Sequence, residues 1–280
     1  MIDLHTHSSA SDGSLSPAAL IQAAQARGIT ALALTDHDTL AGLAEAEQAA
    51  ALAKIRFIPG IELEIPWEPG EFHLLGLGLS RPSGAFIEAI ASLAQKRADR
   101  NHAIIARMRE AGIAVDYDDI LALSGGHSVG RPHFATFLIK QKLAKNYEQA
   151  FDRYLGKGKC FYVPREGLEF RLALTLIKEA GGIAVLAHPM SLYVAWGTLP
   201  SLMRDFKEQG LDGIEAWHPT AKVSACKRLE TLGRSLGLLI TAGSDFHGAA
   251  RPDRKLGITA GAHKISEAIL EELPPLGTLC

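Results

Sequence analysis

Residues 30–38 read Thr-Ala-Leu-Ala-Leu-Thr-Asp-His-Asp, a short apolar run that ends in two carboxylates and a histidine. An apolar run of this length, bounded by polar residues, predicts a buried β-strand. Similar runs recur along most of the chain and are separated by segments with a helical pattern. This alternation predicts an α/β protein in which helices cover a largely parallel sheet.

The pattern yields seven candidate strands, and we expect them to form a small β/α barrel. They cover residues 2–5, 30–35, 56–62, 72–77, 183–187, 213–217 and 238–243. Helices are expected from Ser16-Pro17 onward, and at residues 40–53, 169–180, 199–209, 221–236 and 266–272. Between Glu62 and Phe72 there is room only for a turn, so we expect a hairpin and an irregular barrel there.

One long segment breaks the alternation. Residues 82–160 are helical in pattern, richer in Lys and Arg, and contain no convincing strand. We therefore predict a barrel built from residues 1–81 and 161–280, with 82–160 as an inserted helical subdomain. Insertions in barrels commonly follow a strand at the catalytic end, so this one is expected to contribute to substrate recognition.

Composition excludes several classes of function. The formal net charge of −2 gives no overall attraction to nucleic acid or to an anionic membrane. The three cysteines include no CxxC pair, so neither a disulfide framework nor a thiolate zinc site is indicated. Without a signal sequence or an apolar run of about 18 residues, we expect a cytoplasmic protein that does not enter the membrane. The oligomeric state stays open, and a monomer is compatible with the sequence.

Histidine placement is the most informative chemical feature. Seven of the eleven histidines lie at or just after the ends of predicted strands: His5, His7, His37, His73, His188, His218 and His247. Because strand residues alternate in direction, His5 and His7 can reach the same ion. Such a pair alone is more often ordinary surface or core chemistry, but Asp12, Glu62 and Asp245 also lie at carboxyl ends of strands, which converge in a barrel.

Nine of these side chains are candidate metal ligands: His5, His7, Asp12, His37, Glu62, His73, His188, Asp245 and His247. A shell of histidines and carboxylates without thiolates suits Zn, Mn or Fe at a hydrolytic site. Nine ligands exceed what one ion can take, so two or three divalent ions are expected. Such ions lower the pKa of bound water and neutralise phosphoryl oxygens, which favours hydroxide attack on a phosphate ester.

These segments resemble the polymerase and histidinol phosphatase (PHP) domain family of the amidohydrolase group. The matching pieces are Asp3-Leu4-His5-Thr6-His7, Ser11-Asp12-Gly13, Thr35-Asp36-His37-Asp38, Gly60-Ile61-Glu62, His73, Ala187-His188-Pro189 and Gly243-Ser244-Asp245-Phe246-His247. The resemblance implies the PHP fold, a distorted (β/α)7 barrel. It also implies how the ions are held. One ion would take His5, His7, Glu62 and Asp245, with Glu62 bridging to a second ion on His73 and His188, and a third would take Asp12, His37 and His247. Mn2+ is favoured over Zn2+ or Fe2+.

Other residues are candidates for catalysis and substrate binding. His218 has no place among these ligands, so we expect it either to protonate the leaving oxygen or to bind phosphate. His247 could share the acid role, and Asp245 is counted among the catalytic residues. In the segment Gly130-Arg131-Pro132-His133, Arg131 offers a fork that matches phosphate, beside His133. The segment resembles the branch of the family that acts on nucleotides, which implies that Arg131 and His133 bind one phosphate while another is cleaved.

The favoured function is hydrolysis of the 3′-phosphate of nucleoside 3′,5′-bisphosphates. Three alternatives stay open: a histidinol phosphatase or general phosphomonoesterase, a 5′-3′ exonuclease on short oligonucleotides, and a non-catalytic metal-binding accessory module. The expected partners are accordingly a small nucleotide and, in one alternative, short oligonucleotides.

Overall fold

Seven strands form one sheet whose spatial order follows the chain. They are β1 (Ile2–Asp3), β2 (Ala31–Leu34), β3 (Arg56–Ile65), β4 (Phe72–Leu77), β5 (Ile183–Leu186), β6 (Gly213–Trp217) and β7 (Leu239–Ala242). The computed structural model describes residues 1–124, 129–164 and 166–279. Within these residues each strand is hydrogen-bonded to its neighbours in sequence, from β1 through to β7.

The sheet curls until its two edges nearly meet. Pairing is parallel except that β4 runs antiparallel to both β3 and β5. That reversal follows from the short connection before β4, which is long enough for a hairpin but not for a crossover helix. Thr6 forms a bridge with Phe246, and the His7 N–H donates to the Phe246 carbonyl over 2.9 Å. These features confirm the predicted distorted barrel and its hairpin.

The first strand is shorter than the predicted range 2–5. After Asp3 the chain runs between the end of β2 and the segment after β7 and is hydrogen-bonded to both. There the Asp245 N–H donates to the His5 carbonyl over 2.9 Å, while the Thr35 N–H donates to the Thr6 carbonyl over 2.9 Å. Residues 4–7 therefore serve to close the barrel rather than to extend one strand.

Ten α-helices lie in the described residues. They are α1 (Pro17–Ala26), α2 (Leu43–Ala53), α3 (Gly84–Glu110), α4 (Tyr117–Leu123), α5 (Arg131–Lys140), α6 (Tyr147–Ala150), α7 (Phe170–Glu179), α8 (Leu199–Gln209), α9 (Val223–Ser235) and α10 (Ala268–Glu271). As predicted, Ser16 caps α1, its hydroxyl accepting from the Ala19 N–H over 3.2 Å. The Glu169 side chain caps α7 in the same way, through the Leu172 N–H.

Both faces of the early strands are buried, which explains their continuous apolar composition. Ala31 and Ala33 belong to one cluster, with Ile2, Leu4 and residues of later strands. Leu32 and Leu34 belong to a second cluster, which packs against α1 and α2. Each fully buried leucine or isoleucine contributes about 1.5–3 kcal/mol relative to an exposed one. Polar groups are consequently concentrated where the strands end.

The chain divides into two compact units, Met1–Ile90 with Gly167–Cys280, and Ala91–Glu166. The second unit has its own core, in which Ile104, Met108 and Phe134 are fully buried. Its range differs from the predicted insertion at 82–160, because α3 begins within the barrel unit and Phe161 packs into the core of the second unit. None of the helices in the described ranges combines the length and apolar composition needed to cross a bilayer.

Candidate metal centre

Candidate ligands from within β3 and from the segments after β1, β2 and β7 meet in one polar cluster. His5 and His7 lie side by side, with 3.1 Å between their Nε2 atoms. The Asp245 Oδ1 atom is 3.6 Å from His5 Nε2 and 3.3 Å from His7 Nε2. These three buried side chains offer ligand atoms within 4.8 Å of one another and form the first of three groups that could hold a cation.

Glu62 lies at the centre of the cluster. Its Oε1 atom is 2.9 Å from His73 Nδ1 and 3.0 Å from His188 Nε2. Its Oε2 atom is 3.0 Å from His37 Nδ1 and 3.2 Å from His5 Nε2. Glu62, His37 and His73 form the second group able to hold a cation. A single carboxylate thus reaches ligands that come from both sides of the barrel mouth.

The third group combines the loop after β1 with the segments after β2 and β7. It consists of His7, Asp12, His37 and His247. The Asp12 carboxylate is 3.2 Å from His247 Nε2, 3.8 Å from His7 Nδ1 and 3.9 Å from His37 Nε2. The imidazoles of His7 and His247 are stacked, with ring centroids 4.1 Å apart.

The structure brings all nine candidate ligands together but groups some differently from the scheme that the resemblance implies. His7 belongs to two groups, and His37 belongs with Glu62 and His73 as well as with Asp12. His188 stands outside the three groups found in the described residues, although it contacts Glu62 and its Nε2 atom is 3.3 Å from His73 Nδ1. The reason is the central position of Glu62, which brings ligands of neighbouring sets within reach of each other.

Further carboxylates orient the ligands. Glu215 accepts from His5 Nδ1 over 3.0 Å and, through its other oxygen, from the His188 N–H over 2.8 Å. Asp36 accepts from the Ser8 and Ser11 hydroxyls, which fixes the loop that bears Asp12. Such partners set the ring orientation and tautomer of a ligand. Sequence reasoning missed both roles, and the only available signal was a carboxylate at a position expected to be buried.

The backbone at Gly243 lies so close to His5 and Glu215 that there is no space for a side chain. A Cβ atom at this position would lie 2.2 Å from the His5 Cβ atom and 2.5 Å from the Glu215 Oε1 atom. The end of β7 therefore contacts the ligand segment after β1 directly. Only glycine allows the two edges of the barrel to come this close at the site.

The buried carboxylates and imidazoles of the cluster shift each other's pKa values. Burial raises the pKa of Glu62, but His37, His5 and His73 outweigh burial and hold that pKa well below its usual range. For His7, burial lowers the pKa, but the adjacent carboxylates of Asp245 and Glu62 raise it to about 9. The carboxylates are thus ionised and the imidazole takes a proton to match them.

The donor atoms fit divalent ions. His7 Nδ1, Glu62 Oε2 and His247 Nε2 are buried and make no hydrogen bond of acceptable geometry within the described residues. Buried lone pairs of this kind, supplied by imidazoles and carboxylates, are what Zn, Mn and Fe bind in hydrolytic enzymes. Cations held here would meet the ligand groups from several strands at once.

A cavity of about 350 Å³ opens on the cluster. Five of its lining residues are predicted metal ligands: His37, Glu62, His73, His188 and Asp245. His218 also lines it, with its Nε2 atom 3.3 Å from Asp245 Oδ2 and its Nδ1 atom 2.6 Å from the Thr220 hydroxyl. The remaining wall includes residues that the sequence did not single out: Glu71, Met190, Ser191, Tyr193, Thr220, Arg251 and Arg254.

Arg131 and His133 belong to the second unit. Arg131 is the first residue of α5, and His133 Nδ1 accepts from the Gly130 N–H over 3.0 Å at the start of that helix. The Arg131 guanidinium lies 5.8 Å from the ring centroid of Phe151 and 5.9 Å from that of Tyr162. The two predicted phosphate ligands are therefore neighbours on one helix start.

Comparisons with known proteins identify the family of the chain. The family model described as the PHP domain matches residues 3–163. The chain is 38% identical over 245 residues to a 5′-3′ exoribonuclease of Haemophilus influenzae, covering 88% of this chain and 89% of the relative. It is 34% identical over 273 residues to a 3′,5′-nucleoside bisphosphate phosphatase of Chromobacterium violaceum, covering 97% and 96%. A solved structure from Bifidobacterium adolescentis, described as a candidate metal-dependent phosphoesterase, superposes with a TM-score of 0.83 at 26% identity, covering 99% and 96%.

Proposed function

The chain belongs to the PHP domain family and is a metal-dependent phosphoesterase, and from this premise we propose that it removes the 3′-phosphate of nucleoside 3′,5′-bisphosphates. The products would be a nucleoside 5′-monophosphate and inorganic phosphate. The bisphosphate phosphatase of Chromobacterium violaceum, which aligns with 97% of this chain, supports the choice of substrate.

The cavity beside the candidate metal ligands supports the proposal most strongly, because its lining combines three kinds of side chain. Its lining includes histidines and carboxylates of the ligand type, the two arginines Arg251 and Arg254, and Tyr193, which is 75% exposed. A phosphate ester needs charge neutralisation, and a nucleoside offers a flat base that can stack on an aromatic ring. A volume of about 350 Å³ is in the range of small-molecule sites.

The residues of the three groups are the ones that would hold the ions. When bound, divalent ions would supply an activated water and positive charge next to the phosphoryl oxygens. Glu62 and Asp245 each contact histidines of more than one segment. They would therefore hold the three ligand groups in fixed positions relative to one another. Glu215 would hold the rings of His5 and the backbone of His188 in place.

His218 is better suited to binding than to donating a proton. Burial lowers its pKa, with Glu215 and Asp245 opposing this only in part, so the ring is neutral at pH 7. Nδ1 of this neutral ring accepts from the Thr220 N–H over 3.3 Å, and Nε2 lies 3.3 Å from Asp245 Oδ2 and 3.2 Å from the Arg254 guanidinium. His247 donates from Nδ1 to the Asp245 carbonyl over 2.7 Å, which leaves Nε2 for an ion. We therefore assign His218 to the substrate and His247 to the metal centre.

Arg131 and His133 are proposed to bind the 5′-phosphate. Their side chains come from one helix start, where backbone N–H groups also favour anions. A guanidinium binds phosphate through two parallel hydrogen bonds.

The test is a product analysis with the manganese-loaded protein. Adenosine 3′,5′-bisphosphate, histidinol phosphate and glycerol phosphate are offered at equal concentration, and nucleotides are separated by chromatography. We expect 5′-AMP as the nucleotide product and a kcat/KM at least a hundredfold above that for the two simpler esters. Equal values for all three substrates would exclude nucleotide specificity.

A second candidate function is removal of nucleotides from the 5′ end of short RNA. The relative from Haemophilus influenzae, named as a 5′-3′ exoribonuclease and 38% identical, favours it. The same assay distinguishes the two with a 5′-phosphorylated trinucleotide. Faster release of mononucleotides from the trinucleotide than of phosphate from the bisphosphate would make the exonuclease the main activity.

A further inference from the structure

Two arginines of the loop after β7 line the same side of the cavity. The loop is fixed where the Ala249 N–H donates to the Ser14 hydroxyl over 2.7 Å. The Arg254 N–H then donates to the Arg251 carbonyl over 3.1 Å, which closes a tight turn. This turn presents the side chains of Arg251 and Arg254 together to the cavity.

Both guanidinium groups meet one carboxylate oxygen. Arg251 Nη1 is 3.3 Å, and Arg254 Nη1 is 3.4 Å, from Asp245 Oδ2. The other oxygen of Asp245 lies 3.3 Å from His7 Nε2, within the metal centre. Arg254 is also paired through Nε with Asp253, whose side chain is 72% exposed and therefore well screened by water. Two guanidinium groups thus share one buried carboxylate, which already contacts the histidines.

The cavity lining also includes carboxylates. Glu62 and Glu71 line it together with the histidines. An anionic ester could therefore accept hydrogen bonds from the two arginines and contact cations held by the histidines and carboxylates. A phosphoryl group placed against both would touch the metal centre and the guanidinium forks at once.

We propose that Arg251 and Arg254 bind the phosphoryl group that is cleaved, and that this pair selects a terminal phosphate monoester over a phosphodiester. The inference rests on the proposed function, which it makes more specific. A terminal phosphoryl group has three non-bridging oxygens and about two negative charges, whereas a diester has two such oxygens and one charge. Only the monoester has oxygens for the metal centre and for both forks.

Binding of inorganic phosphate tests the pair directly. Isothermal titration is performed at saturating manganese with the wild type and with Arg251→Gln and Arg254→Gln. We expect each substitution to weaken phosphate binding at least tenfold, because a charge-assisted hydrogen bond is lost. The control is Arg234→Gln, which removes a surface guanidinium that pairs with Glu230 and Glu272 and does not line the cavity; its affinity should equal that of the wild type. Wild-type affinity in both cavity variants would overturn the proposal.

A merely structural role in holding Asp245 gives a different result. In that case the substitutions would weaken manganese binding and leave phosphate affinity unchanged once manganese is saturating. We expect the opposite, with manganese affinity equal or higher, because a cation beside the ligands has been removed. Arg251 is 42% exposed, so Arg251→Gln is expected to fold even if the buried Arg254 proves necessary for stability.

Substrate choice provides the second readout. On p-nitrophenyl phosphate, a monoester, Arg251→Gln should lower kcat/KM at least tenfold, and on bis(p-nitrophenyl) phosphate, a diester, less than threefold. Equal losses on both esters would contradict selection by the pair. If the wild type failed to cleave the nucleoside bisphosphate while the variants still lost phosphate affinity, the proposed function would fail and the phosphate site would stand.

Discussion

Glu62 is the side chain on which most ligands of the centre converge. It is buried and contacts His5, His37, His73 and His188 within 3.2 Å. Its negative charge offsets the mutual repulsion of the histidines when they are protonated, and it provides two oxygens for ions. The role of each histidine therefore depends on this carboxylate.

Replacing Glu62 by Gln should keep the shape and remove the charge. We expect kcat/KM to fall more than a hundredfold and manganese affinity at least tenfold, because one anionic ligand becomes neutral. Phosphate release and manganese titration measure the two effects. The matched control is Glu208→Gln on the exposed face of α8, and a similar loss in both variants would contradict a specific role for Glu62.

Protons and metal ions compete for His7. Its pKa of about 9 lies above the ordinary value, so the ring holds a proton at pH 7 and must release it to bind a cation. Metal affinity should therefore rise with pH up to about pH 9, by about tenfold per unit for each proton released. Manganese titrations at pH 6.5, 7.5 and 8.5 would show this rise, and an affinity that does not depend on pH would be inconsistent with it.

Among the elements, the turn after β5 has a particular role in shaping the cavity. A 3-10 turn, Pro189–Leu192, follows His188, and Tyr193 ends it in a left-handed conformation with φ of 51°. The Glu71 N–H donates to the Ser191 carbonyl over 2.8 Å, which ties this turn to the β3–β4 hairpin. The ring of Tyr193 is consequently held at the rim of the cavity with 75% of its surface exposed.

Tyr193→Ala should weaken binding of the nucleoside part of the substrate. Stacking of a base on an aromatic ring contributes about 1–3 kcal/mol, so we expect KM for the bisphosphate to rise about tenfold with little change in kcat. Tyr193→Phe keeps the ring and should retain the wild-type KM. If glycerol phosphate, which has no base, showed the same rise in KM, stacking would not be the cause.

The contact between the ends of β7 and β1 depends on Gly243. Gly243→Ala would place a methyl group 2.2 Å from the His5 Cβ atom, and we expect a loss of about 3 kcal/mol in the free energy of unfolding. Gly197→Ala is the control, since nothing lies within 4 Å of the added Cβ atom. Urea unfolding compares the two, and equal stabilities would contradict the close approach.

The elements could be predicted well because both faces of the strands are buried. β4 and β6 have the predicted bounds, Phe72–Leu77 and Gly213–Trp217. The start of the chain was predicted less well, because residues 4–7 join the segment after β7, a partner more than 200 residues away that local pattern does not identify.

At the scale of the whole molecule, closure of the barrel explains why distant residues meet. Asp245 and His5 lie at opposite ends of the sequence yet contact each other, and strand-end position was sufficient to predict it. Arg251, Arg254 and Tyr193 could not be predicted in the same way. They lie on irregular turns, where the direction of a side chain depends on loop conformation rather than on strand or helix period.

The second unit is expected to contribute to specificity rather than to chemistry. Arg131→Ala should raise KM for adenosine 3′,5′-bisphosphate about tenfold or more and leave KM for adenosine 3′-phosphate, which lacks the 5′-phosphate, within about twofold. Steady-state kinetics on the two substrates measure the difference. An equal change for both would show that Arg131 does not bind the second phosphate.

The central claim is that side chains from the strand ends hold divalent ions at the mouth of the barrel. Anomalous diffraction at the manganese edge, from crystals of the manganese-loaded protein, tests it most directly. We expect at least two peaks, adjacent to the groups formed by His5, His7 and Asp245 and by His37, Glu62 and His73. Crystals that bind manganese elsewhere, or show no peak at these side chains, would contradict it.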